Sequence, residues 1–216
     1  MGERSHTATP RKPHTPRMRR KTYTPSRLPQ RKSLRLAEFD YTEPQSYFVT
    51  IVARDRRCVF GRVEHGQVVL SPAGKTLARE WRALSHRFGV EIEPFVVMPN
   101  HVHGLVSTWE AVDPPALGRI IGAFKSITAR EYRTGASAGR WLAMPGGLWQ
   151  RGYFDHVVRD ETDAARIIDY INANPANWVT DPDNPDSPDR TSDDNRLWPK
   201  KSAGRHETFP RVRRRP

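Results

Sequence analysis

Between residues 47 and 174 the apolar positions change their spacing several times, and each change marks an element. Tyr47 to Ala53 (YFVTIVA) is β-branched and aromatic, which predicts a strand. Val63 to Leu70, with His65-Gly66 at its middle, predicts a short hairpin. Ser71-Pro72 supplies an N-cap and a proline for the first helical position, and Leu77, Trp81, Leu84 and Phe88 then recur at helical spacing up to Gly89. Val90 to Met98 predicts a second strong strand. Pro99-Asn100 is a tight connection, and His101 to Ser107 follows as an antiparallel neighbour. Leu117, Ile120, Ile121, Phe124 and Ile127 mark a second helix ending near Gly135. Trp149 to Val158 reads as a further strand, and Asp160 to Asn174 as a last helix with Asp160 as its cap and Asp163 in its first turn. The order is βββαββαβα, an α+β architecture with a mostly antiparallel sheet.

The flanks lack this patterning. Of the 216 residues, 1–36 hold eleven Lys/Arg against one acid, Glu3, and 179–216 hold nine against seven. The formal net charge of +12 therefore sits on the flanks, and the middle is neutral. The expected organisation is a disordered basic N-terminal arm over 1–37, one domain over 38–178, and a Pro/Asp-rich linker with a basic C-terminal tail over 179–216. Runs such as Arg17, Arg19, Arg20, Lys21 and Arg211, Arg213, Arg214, Arg215 would follow phosphates electrostatically or act as solubilising tails, and both readings stand.

Composition also excludes several classes. Cys58 is the single cysteine, so an intrachain disulfide and a multi-cysteine zinc site are ruled out, in keeping with a reducing cytoplasm. No apolar run approaches the roughly 18 residues that cross a bilayer, and no signal-peptide core opens the chain; a soluble, non-exported protein is expected. The chain has no G-x-x-x-x-G-K-[ST] phosphate loop, and Gly146-Gly147 lies in an ordinary linker.

The candidate chemistry lies in FVVMPNHVHGLV. His101 and His103 are two apart on a strand, so both imidazoles project from one face, and Val102, Gly104 and Val106 share the other. Paired neutral imidazoles suit a divalent ion, although a His-x-His on a strand is also often structural. On the last helix Ala164, Ile167, Ile168 and Ile171 form the apolar stripe, with Tyr170 and Asn174 one turn apart on its flank. Tyr170 reads as a residue at the rim of the core, and Asn174, before Pro175, could be only a helix stop.

Taken in order, MPNHVHGLV, GAFKS, LWQRGYFDHVVRD and IIDYINANP resemble the bacterial single-tyrosine transposases whose signature is His-hydrophobic-His, and among them the REP-associated tyrosine transposases. The resemblance covers about Tyr47 to Trp178. It implies a ferredoxin-like or RRM-like sheet with helices packed on one face, and a metal-dependent endonuclease and strand transferase acting on single-stranded DNA, often at hairpins. It further implies Tyr170 as nucleophile through a 5′-phosphotyrosyl intermediate, and His101 and His103 as ligands of Mg²⁺ or Mn²⁺. Asn174 becomes a third ligand through its amide oxygen, where better-known members carry Gln. Some relatives work as dimers that exchange the helix bearing the tyrosine and others as monomers, so a homodimer remains open. The implied setting is the bacterial cytoplasm, in association with the nucleoid.

Lower-ranked candidates for DNA contact are Lys125, close to the apolar face of the second helix and otherwise a snorkelling surface lysine, Arg151 and Arg159 flanking the last strand, and His156 within it, which could instead join the metal site or be a satisfied structural histidine. Trp109, Trp141, Trp149 and Tyr153 are candidates for stacking on unpaired bases or for the core. Tyr132 and Tyr153 are the alternative nucleophiles. Histidine-triad hydrolases would need a histidine where Leu105 stands, and two-histidine phosphoesterases need His-x-Ser/Thr motifs that neither His101 nor His103 opens. The rival reading is a non-catalytic module that grips hairpin DNA or RNA.

Overall fold

A computed structural model of the chain describes residues 44–109, 111, 113 and 115–188. The basic arm, the start of the domain at 38 and the terminal arginines expected from the sequence lie outside the described residues. Among the described residues six strands and three α-helices follow one another in the predicted order: β1 (Ser46–Val52), β2 (Gly61–Glu64), β3 (Gln67–Leu70), α1 (Pro72–Phe88), β4 (Phe95–Val97), β5 (His101–Ser107), α2 (Leu117–Ser137), β6 (Phe154–Val157) and α3 (Glu161–Ala173). Four strands form one antiparallel sheet in the order β4-β5-β1-β6, and β2 and β3 pair as a separate hairpin. No described helix is long and apolar enough to cross a membrane.

The local signals act as their chemistry requires. At the β2–β3 turn His65 and Gly66 both take positive φ, the twist a two-residue hairpin loop needs. Ser71 Oγ accepts from the Gly74 N–H at the start of α1, and Gly89 ends that helix in the left-handed region. Asp160 caps α3 by accepting from the Asp163 N–H. Two predicted strands come out shorter than expected. Val90–Met98 keeps only an isolated bridge from Glu91 to Ser107 before Phe95–Val97, because Pro94 between them has no N–H for the ladder. Trp149 makes an isolated bridge with Ala53, and Gly152 at positive φ delays β6 to Phe154.

Strand parity divides the sheet into two faces. Tyr47, Val49 and Ile51 of β1, with Val102 and Val106 of β5, pack against Leu77, Trp81 and Leu84 of α1 and Ile120, Ile121 and Phe124 of α2. Gly104 makes this contact close. A Cβ there would lie 2.5 Å from the Trp81 ring, whose Nε1–H donates to the Ile92 carbonyl. Phe48 and Leu105 point the other way, and Ile167 and Ile171 of α3 cover them. The expected layering on one face thus describes α1 and α2, whereas α3 crosses the opposite face, the one that carries the histidine pair. The packing also continues past residue 178, where the sequence reading ended the domain. Asp181, Asp183, Asn184 and Ser187 are all buried.

Candidate active site

His101 pairs with Val52 and His103 with Thr50 across the two central strands, so both imidazoles rise from the middle of the sheet beneath α3. Both are fully buried, with ring centroids 4.3 Å apart. Their Nδ1 atoms are engaged. His101 Nδ1 lies 2.8 Å from Asn100 Oδ1, and His103 Nδ1 lies 2.8 Å from Thr50 Oγ1. Asn100 determines the tautomer of His101. Its amide nitrogen donates to the carbonyls of Arg56 and Asp183, which turns its oxygen, an acceptor only, toward the imidazole. His101 Nδ1 therefore carries hydrogen, and Nε2 faces the site with no hydrogen-bond partner. Burial, and then the adjacent His101, hold the His103 imidazole well below its ordinary pKa, so it is neutral at pH 7.

The last helix brings the phenol. Tyr170 Oη lies 3.5 Å from His103 Nε2 within one chain, so the set is complete without a second copy. Phe48 packs against both rings, stacked on His103 at 5.4 Å and edge-on to Tyr170 at 5.8 Å. The apolar stripe predicted for α3 is rotated. Ile168 is 37% exposed, while Ile167, Ile171 and Asn174 are buried and Tyr170 packs against them and Phe48. This roll turns the Tyr170–Asn174 edge toward the imidazoles. Asn174 Oδ1 is a buried acceptor with no partner.

Asp181 completes the group and was missed in the sequence. Its carboxylate oxygen lies 3.8 Å from His101 Nε2, and one ligand atom each from His101, His103 and Asp181 falls within 4.8 Å of the others. It sits in the stretch read as linker, whose proline and aspartate content matches a solvated segment; its one local signal is proximity to the end of the helix carrying Tyr170. The segment is pinned by Asp183, which binds Arg56 Nε at 2.9 Å and gives its backbone carbonyl to Asn100. Burial raises the Asp181 pKa. Burial first, and then the charge of Asp181, raise that of Tyr170, so the phenol is protonated at neutral pH.

The donors fit a hard or borderline divalent cation: two imidazole nitrogens, a carboxylate and an amide oxygen, with His101 Nε2 and Asn174 Oδ1 both buried and unpartnered. Thr50 and Asn100 orient the imidazoles from behind, as hydrogen-bonded outer residues do in metal sites.

The remaining candidates lie elsewhere. Lys125 Nζ donates to the carbonyls of Gln150 and Gly152, holding the turn on which Arg151 is exposed. His156 Nε2 lies 2.8 Å from Asp163 Oδ2 and is not one of the metal-site group. Arg159 is exposed at the start of α3, and its N–H donates to the same carboxylate. Tyr132 and Tyr153 pack on the α1/α2 side, and the Tyr132 hydroxyl donates to Leu142 O. Trp149 is core between Phe60 and Phe124, Trp141 lies against Gly135 of α2, and Trp109 is 60% exposed.

Residues 46–174 match the family described as IS200-like transposases, and the chain belongs to that family. It is 31% identical over 164 residues to an uncharacterized protein of Haemophilus influenzae, covering 70% of this chain and 91% of that one. A second protein of that organism, provisionally named a REP-associated tyrosine transposase, is 26% identical over 63% of this chain and 73% of its own. A solved REP-associated tyrosine transposase, bound to a REP hairpin, aligns with a TM-score of 0.47 and 22% identity over 65% of this chain and 73% of that one.

Proposed function

We propose that this transposase cuts and rejoins single-stranded DNA at hairpins, with Tyr170 as nucleophile and a divalent cation, Mg²⁺ or Mn²⁺, held by His101, His103, Asn174 and Asp181. The observation that carries the reading is the 3.5 Å approach of Tyr170 Oη to His103 Nε2 beside the buried, unpartnered His101 Nε2 and Asn174 Oδ1. When bound, the cation would neutralise and orient the scissile phosphate and offset the Asp181 charge that opposes ionisation of Tyr170.

The chain's own groups do the rest. Tyr170 Oη forms a bond to phosphorus as the bond from phosphorus to the 3′ oxygen breaks, and the phenolic proton is matched by the one gained at the departing 3′ hydroxyl. The 5′-phosphotyrosyl bond stores the phosphodiester energy, so a new 3′ hydroxyl can displace Tyr170 without ATP. Phe48 and Ile171 exclude water from the phenol's inner side. Arg151 and Arg159 contact backbone phosphates, and Lys125, with two protons on carbonyls, keeps a third for the same strand. His156 acts beside them by fixing the start of α3 through Asp163. The enzyme works on chromosomal DNA in the cytoplasm.

A gel assay with a labelled single-stranded DNA hairpin bearing unpaired flanks, in MnCl₂ or MgCl₂, tests the reading. The expected product is a protein–DNA adduct that survives SDS and is absent with Tyr170→Phe or EDTA, while hairpin binding persists. Cleavage by Tyr170→Phe at the wild-type rate would refute the assignment. Binding without any adduct from the wild-type protein would favour the non-catalytic hairpin module.

A further inference from the structure

The short 3-10 turn Trp178–Thr180 begins one helical turn beyond Asn174 and sets the Trp178 ring against the metal-site face. The indole centroid lies 6.0 Å from that of His101, tilted by 41°. Trp178 is half-buried, and Val179 beside it is 69% exposed. The turn is held from three directions: the Trp178 N–H donates to Pro175 O, and Trp178 O accepts from the Asp181 N–H and the Asn184 amide. A half-buried aromatic fixed in place by its backbone and adjoining a buried polar site is preorganised for a flat apolar ligand group.

The other described tryptophans are placed differently. Trp81 and Trp149 are buried in the core with their Nε1–H groups bonded to Ile92 O and Thr128 Oγ1. Trp141 lies against α2. Trp109 is exposed, but it follows the far end of β5, about 20 Å along the strand direction from His103 at roughly 3.3 Å per residue.

We propose that Trp178 is the stacking platform for the unpaired base adjoining the phosphate held at His101 and His103, a role nothing in the signature motifs assigns. This rests on the reading of the site as one that takes a single-stranded phosphodiester. A base one sugar away from a phosphate at His101 falls within reach of a ring centred 6.0 Å from that imidazole. Stacking makes no demand on base identity, because every base presents a π-face. Trp178 therefore supplies grip and placement of the scissile linkage, not sequence choice.

The test is a stacking cycle on the full-length protein. A fluorescently labelled DNA hairpin with unpaired flanks is prepared intact and with a single abasic nucleotide at each flank position in turn. Binding is read by anisotropy for wild type, Trp178→Leu and Trp178→Phe. One abasic position is expected to weaken wild-type binding by roughly 5- to 150-fold, the range of one base–aromatic stack. Trp178→Leu should weaken binding of the intact hairpin by a similar factor with no further loss at that abasic position, and Trp178→Phe should retain most of the affinity. Trp178→Met replaces the leucine variant if that one melts early. The proposal is overturned if no flank position matters to the wild-type protein, if the leucine variant binds the intact hairpin normally, or if the two losses multiply. The Tyr170 adduct is scored separately: an adduct without this coupling sinks the platform alone, and coupling without an adduct sinks the nuclease reading alone.

Discussion

Tyr170 Oη lies 3.5 Å from His103 Nε2, although 67 residues separate the two in the chain, and Phe48 touches both rings. If His103 Nδ1 donates to Thr50 Oγ1, its Nε2 accepts the phenolic hydrogen in the free protein and, in the proposed metal-bound form, would be a ligand. His103→Ala is therefore expected to abolish Mn²⁺ binding in calorimetry and the DNA adduct on gels, while hairpin affinity changes little. An adduct formed at the wild-type rate by this variant would remove the imidazole from the chemistry.

Asn100 acts through His101. Its side chain holds the imidazole tautomer and ties the Arg56 loop to the Asp183 segment. Asn100→Ala should lower Mn²⁺ affinity about 10- to 100-fold, the usual cost of losing a residue that orients a metal ligand. Asn100→Asp keeps the acceptor for His101 Nδ1–H but loses both donors, so it should recover part of that affinity. Equal Mn²⁺ affinity in wild type and Asn100→Ala would contradict the role.

Asp181 carries two opposing consequences. Its charge raises the Tyr170 pKa, second to burial, and it offers an oxygen to the metal-site group. Asp181→Asn should lower the Tyr170 pKa toward its ordinary value and weaken Mn²⁺ binding at the same time. The first effect is read from the ultraviolet difference titration of Asp181→Asn against Asp181→Asn/Tyr170→Phe, the second from calorimetry. A Tyr170 titration unmoved by the substitution would show that the carboxylate does not act on the phenol.

Asp163 links stability to pH. Burial opposes its charge, but the hydrogen bonds from His156 and the Arg159 N–H outweigh that effect and hold its pKa below the ordinary carboxylate value. A depressed folded-state pKa contributes stability that is present above the unfolded value, about 4, and is lost as pH falls through the folded one. Thermal melts should show Asp163→Ala destabilised by about 1–3 kcal/mol at pH 7, since two donors are left unpaired. The gap to wild type should narrow below pH 4. A gap that is constant from pH 7 to pH 3 would exclude the linkage.

Much of this site could be read from residue order. Strand parity alone puts His101 and His103 on one face and Val102, Gly104 and Val106 on the other, and the core composition matches that division. Helical spacing places Tyr170 and Asn174 one turn apart. The roll of α3 was less legible. Ile168 scores as apolar as its neighbours, and only the position of Phe48 and Leu105 on the sheet decides that Ile167 and Ile171 are buried while Ile168 is left at the edge. Likewise Asn100 reads as a turn residue until its amide is seen bridging Arg56 and Asp183.

By itself the sequence determined the element order, the capped helices, the face on which each strand side chain stands, and the types of ligand and nucleophile available, because these follow from short-range periodicity and hydrogen bonding between near neighbours. Only the tertiary structure decided that α3 lies over the histidine face, that Tyr170 reaches His103, and that Asp181 folds back into the site beside Trp178. The physical reason is range: capturing a carboxylate from a Pro/Asp-rich segment depends on an ion pair with Arg56 and a carbonyl gripped by Asn100, partners 127 and 83 residues away, and no local pattern encodes contacts at that separation.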